Sequence, residues 1–89
     1  MKIVSKADKL LKRFLSKPTD FTYSELKRFL SSYGYEEAKT GNSSGSRVAF
    51  INYRTRHIIR LHKPHPHPEL KQYQLDDVLE ELKKQGIVQ

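Results

Sequence analysis

All four histidines of this 89-residue chain, His57, His62, His65 and His67, fall within one short stretch. Histidine is the one side chain that both takes and gives a proton near neutral pH without special tuning. Metal-free RNA cleavage asks for that ability twice. A base removes the 2′-hydroxyl proton and the oxygen attacks the adjacent phosphorus. An acid protonates the departing 5′-oxygen, and a cation stabilises the phosphorane. Arg60 and Lys63 flank His62, so imidazole and cation come together in the chain. Two other uses of the stretch compete. His65-Pro66-His67 offers two imidazoles to a metal, but the proline between them restricts the geometry and Glu69 is the one further strong ligand nearby. The histidines could also be surface residues of a proline-rich link. Four so close together weigh against that reading. No metal and no cofactor is expected.

A second set of residues could bind phosphate. Arg47, Arg54, Arg56, Arg60 and Lys63 form a row of cations with few carboxylates among them. The stretch Gly41 to Gly45 reads as a loop whose backbone N–H groups are open to an anion, and Ser46-Arg47 follows it. Tyr53 and Tyr73 could stack bases if exposed. Plain hairpin connections and solvated edge strands carry the same residue types.

Composition sets the frame for both sets. Lys and Arg number 17 against 10 Asp and Glu, a net charge of +7. The charge is uneven: residues 69–89 hold Glu69, Asp76, Asp77, Glu80 and Glu81 against Lys71, Lys83 and Lys84. The positive field therefore comes from the rest of the chain, and such a field favours polyanions. The length suits one domain. Cysteine is absent, so disulfides and thiolate metal sites are excluded. No apolar run is long enough to span a membrane, and Met1-Lys2-Ile3-Val4-Ser5 lacks the apolar stretch of a signal peptide. The cytoplasm is the expected compartment.

These residues must be held by elements, and periodicity supplies them. Residues 5–16 read as a helix with Ser5 as N-cap, Leu10/Phe14 and Leu11/Leu15 as i,i+4 pairs, and Pro18 as its stop. Thr22-Tyr23-Ser24-Glu25 fits a capping box, and Phe21 with Leu26 a hydrophobic staple. Leu26, Phe29, Leu30 and Tyr33 then form one stripe, and Gly34 sits where a left-handed residue is wanted. Tyr35–Lys39 predicts a short strand. Ser46–Tyr53 alternates, with Arg47, Ala49, Ile51 and Tyr53 on one face and Val48, Phe50 and Asn52 on the other. Arg54-Thr55-Arg56 is a hairpin turn without the usual glycine. In His57–His62, Ile59 and Leu61 share a face with His57, while Ile58 and Arg60 share the other with His62. Pro64, Pro66 and Pro68 predict a stiff, extended link. A last helix is expected from about Leu75 to Gln85, with Asp76 and Asp77 at its positive end and Gly86 as its stop. The order is α-α-β-β-β-α, an α+β fold with helices on one face of a three-stranded antiparallel sheet.

The helix ending at Gly34-Tyr35, the run Gly45-Ser46-Arg47-Val48-Ala49-Phe50, the histidine-bearing third strand and the last helix together resemble the HicA toxins of bacterial toxin–antitoxin pairs. The resemblance covers about residues 21–88, so residues 1–20 look like an added helix before a HicA-like RNA-binding domain at 21–89. It implies a fold similar to a double-stranded-RNA-binding domain, ribosome-independent mRNA interferase activity and a HicB-like antitoxin partner. In the family motif Gly-Ser-His-x-x-Phe the histidine is catalytic, and the corresponding residue here is Arg47. Arginine stays protonated and cannot act as a base. Catalysis would then fall to His62 or His57, with Arg47 and Lys63 stabilising the phosphorane and Ser46, Arg54, Arg56, Arg60 and His65 binding RNA. The alternative is a non-catalytic RNA-binding module, or an inactive HicA relic that docks an antitoxin.

Overall fold

The computed structural model describes residues 6–38 and 47–88. Ser5, Ser46 and the Gly41–Gly45 loop lie outside the described residues. The elements run α1 (Lys6–Leu15), α2 (Tyr23–Ser31), β1 (Tyr35–Glu37), β2 (Arg47–Asn52), β3 (Ile58–His62) and α3 (Gln72–Lys84). The expected order and α+β class are both observed. The strands form one antiparallel sheet in the order β1-β2-β3.

Helix α1 ends before Pro18 through local bonds. The Ser16 N–H donates to the Lys12 carbonyl at 3.1 Å, and the Ser16 hydroxyl to that of Arg13 at 2.7 Å. Lys17 then takes a left-handed φ of 52°. Phe14 is buried, stacked on Phe29 at 4.6 Å between ring centroids and edge-on to Phe21 at 5.6 Å. Leu15 is exposed rather than paired inward.

Helix α2 opens with the expected capping box. The Glu25 N–H donates to Thr22 Oγ1 at 3.2 Å, and the Thr22 N–H to Glu25 Oε1 at 3.0 Å. The staple residues Phe21 and Leu26 are fully buried. Gly34 follows with a φ of 92°. A Cβ there would meet Asn52 Nδ2 at 3.4 Å, an ordinary contact, so it is the backbone geometry that asks for glycine.

Asn52 also explains how the β2–β3 turn does without glycine. It is buried, and its Oδ1 accepts from the N–H groups of Arg54 and Thr55 at 3.0 and 3.2 Å. This is an Asx turn. Its Nδ2 donates to the Tyr33 carbonyl at 3.1 Å, tying the turn to the end of α2. Arg56 takes the left-handed position, with φ 67°.

Helix α3 begins three residues before the expected start. Its first turn is set by Gln74, whose Oε1 accepts from the Lys71 N–H at 3.0 Å. Asp76 and Asp77 therefore fall in the second turn, and Asp76 instead pairs with Lys17 of the α1–α2 connection at 2.5 Å. The helices cover one sheet face. Phe50, Ile59 and Tyr35 from the strands meet Phe29, Leu30, Leu75, Val78 and Leu82 from α2 and α3 in one core. Among the described residues no helix covers the other face, as alternation predicts.

Candidate functional site

Register decides which of the candidate residues meet. β2 and β3 pair with Arg47 opposite His62, Ala49 opposite Arg60, and Phe50 opposite Ile59. Residues directly opposite one another share a face, with Cβ atoms roughly 4.5–5.5 Å apart. Phe50 and Ile59 point to the core. Arg47, Arg60 and His62 point the other way and are exposed. Arg60 is two residues from His62 along β3, about 7 Å on the same face. Two arginines therefore neighbour His62 on the exposed face, one across the strands and one along β3.

His62 ends β3, and the chain then turns through the proline link. Two backbone bonds hold this link against the entry to α2: Tyr23 N–H to the Pro68 carbonyl at 2.9 Å, and Leu70 N–H to the Phe21 carbonyl at 2.7 Å. A cleft of about 470 Å³ results, lined by His62, Lys63, His65, His67, Lys71 and Tyr73 among others. Three of the four histidines thus share one cleft.

His57 is set apart. It lies on the core side, half-buried. Its Nδ1 is 2.7 Å from the Tyr35 hydroxyl and its Nε2 2.9 Å from Glu81 Oε1. With neutral imidazole, Nε2–H donates to the carboxylate and Nδ1 accepts from the phenol. The Glu81 carboxyl is held below the usual carboxylate range, first by this hydrogen bond and then by Lys84. Both ring nitrogens are engaged in tying α3 to the sheet.

The cation row divides. Arg54 and Arg56 sit in the β2–β3 turn, whereas Arg47 and Arg60 are toward the other end of the strands. Five residues of strand, roughly 17 Å, separate Arg47 from Asn52 at the turn. Lys63 faces two ways. It lines the histidine cleft, and its Nζ is 5.2 Å from the Tyr23 ring centroid. The Tyr23 hydroxyl donates to Glu37, and Lys27 is 3.2 Å from the same carboxylate. That bond from Tyr23, and then Lys27, holds the Glu37 carboxyl below its ordinary range. Burial, and next the same carboxylate, push the Tyr23 phenol well above its own.

Two residues that periodicity did not single out matter here. Gln74 is buried, and its Nε2 donates to the His62 carbonyl at 2.8 Å. It fixes the end of β3 to the first turn of α3. Lys71 precedes that turn and adds a cation to the cleft wall. A neighbouring furrow of about 330 Å³ between β3 and α3 has a different character, with Asp77, Glu80 and Glu81 in its lining. Among the described residues, no group of three or more histidines and carboxylates is arranged to hold a metal. No described helix is long and apolar enough to cross a membrane.

A family model for the HicA toxin of bacterial toxin–antitoxin systems matches residues 23–87, the α2-β1-β2-β3-α3 unit. The chain belongs to the HicA toxin family. Comparisons with curated proteins and with solved structures find no match. HicA membership implies the toxin of a toxin–antitoxin pair, generally a ribonuclease, and hence an RNA substrate. Helix α1 lies outside the matched span, yet it contributes Phe14 to the core.

Proposed function

We propose that this HicA protein is an mRNA interferase that cleaves RNA without a metal, with His62 as the general base. The observation that carries the reading is the cross-strand pair of Arg47 and His62 on the exposed sheet face, beside a cleft lined by Lys63, His65 and His67. His62 removes the 2′-hydroxyl proton, and the oxygen attacks the adjacent phosphorus. The bond to the 5′-oxygen breaks, and His65, in the same cleft, protonates that oxygen. The products are a 2′,3′-cyclic phosphate and a 5′-hydroxyl. Arg47 and Lys63 stabilise the charge that builds on the phosphorane, a role in which permanent protonation is an advantage. Arg60 holds a flanking phosphate, and the distant Arg54 and Arg56 bind further along the strand.

In this reading residues 21–89 are the RNA-binding unit and residues 1–20 an added helix. A HicB-like antitoxin neutralises the protein by covering the exposed sheet face. His57 serves the fold rather than the reaction, because both of its nitrogens are bonded away from the cleft. The second reading, an RNA binder without catalysis, is favoured by Arg47 standing where the family has its histidine. Induced expression in bacteria, with primer extension on cellular mRNA, separates the two. Growth arrest with new RNA ends supports the nuclease. Neither arrest nor cleavage removes it.

A further inference from the structure

We propose that Tyr73 is a stacking platform for one unpaired base of the RNA, so that the nucleotide next to the scissile phosphate must be single-stranded. This rests on the RNA reading above and adds to it a residue that selects the substrate's form. Four observations support it. Tyr73 is 57% exposed, and among the described residues its ring makes no hydrogen bond and no ring contact. It lies in the first turn of α3, on a rigid element. It lines the histidine cleft together with Pro64 and Pro66, which give that wall an apolar character. At about 470 Å³ the cleft is within the size range of small-ligand sites, roughly 300–1,000 Å³.

Electrostatics orients the strand. Lys63 and Lys71 outnumber Glu69 in the lining of the Tyr73 cleft, whereas Asp77, Glu80 and Glu81 outnumber Arg60 and Lys84 in the furrow on the far side of the same tyrosine. The phosphate beside Tyr73 is therefore drawn to the first, and the carboxylates of α3 keep the backbone off the helix side of the second, whose strand side carries Arg60. A strand passing His62 thus keeps its backbone on the lysine side and turns a base toward the phenol ring. Gln74 ties α3 to the carbonyl of His62, so the separation of platform and base is built in before RNA arrives. A duplex cannot use this arrangement, because its bases are already stacked and paired.

The chain contains no tryptophan, which gives a direct test. Tyr73→Trp places a single indole at the platform, and Leu15→Trp places one at an exposed site at the end of α1, as a control. Each full-length variant is titrated with a short oligonucleotide carrying 2′-O-methyl riboses, single-stranded or annealed to its complement. The expected result is saturable quenching of the platform indole by the single strand, weak quenching by the duplex, and little change in the control indole on α1. Tyr73→Ala should weaken single-strand binding about 5- to 150-fold, and Tyr73→Phe should retain it. If the wild type binds the single strand while the platform indole is not quenched and Tyr73→Ala binds equally well, the platform is overturned and the RNA reading stands. If the wild type binds no RNA, both fall together.

Discussion

Gln74 Nε2 donates to the carbonyl oxygen of His62 at 2.8 Å, and this bond joins the first turn of α3 to the last residue of β3. The other end of the same amide caps the helix at Lys71. One buried side chain thus sets both the start of α3 and the position of the histidine assigned as base.

Gln74→Ala should therefore weaken the fold and the site together. It strands a carbonyl and an N–H that the amide now satisfies, at a cost of about 1–3 kcal/mol. For a domain of this size that is a fall of several degrees in melting temperature. Gln74→Glu separates the two ends. It still accepts from the Lys71 N–H but cannot donate to His62, so cleavage should fall further than its loss of stability explains. Thermal melting and RNA cleavage on the same preparations check this. Unchanged cleavage in both variants would remove Gln74 as a positioning residue.

Replacing His57 should have the opposite signature. His57→Ala breaks the Tyr35–His57–Glu81 chain, lowers the melting temperature and leaves cleavage per folded molecule nearly unchanged. A variant that melts like the wild type but no longer cuts RNA would return His57 to the chemistry.

The tie between α1 and α2 predicts a pH dependence. Arg13 Nε donates to Glu25 Oε2 at 2.6 Å, and its Nη2 reaches Asp20 Oδ1 at 3.1 Å. The hydrogen bond from Arg13 is the largest cause holding the Glu25 carboxyl near 2, below its ordinary 4.5. A lowered folded-state value means that this contribution is complete above about 4.5 and fades as pH falls toward 2. Arg13→Met should flatten the melting temperature across that window. Equal slopes in wild type and variant would show that the pair does not couple folding to protons.

Much of this was legible in the sequence. The capping box at Thr22 and Glu25, the staple of Phe21 and Leu26, and the sharing of one strand face by Arg60 and His62 follow from spacing alone, because capping and alternation are local. The start of α3 was not legible. Asp76 and Asp77 suggested a helix terminus by charge, but the first turn is organised by a glutamine that bonds a strand carbonyl twelve residues away. The same holds for Asn52, whose contact with the Tyr33 carbonyl exists only once the chain has folded. The division of the cation row is also non-local, since register and strand length decide which end of the hairpin each arginine occupies. The three clustered histidines were visible as types, whereas the separation of His57 required knowing what packs on the core face.

The central claim is that His62 is the base in an RNA-cleaving site. Cleavage of a defined single-stranded RNA by purified wild type and His62→Ala, with RNA retention measured in parallel, tests it most directly. The account predicts that the wild type leaves a 2′,3′-cyclic phosphate, and that His62→Ala cuts about 10²- to 10⁴-fold more slowly while retaining RNA. Wild-type cleavage rates in His62→Ala, or no cleavage by the wild type at all, would contradict it.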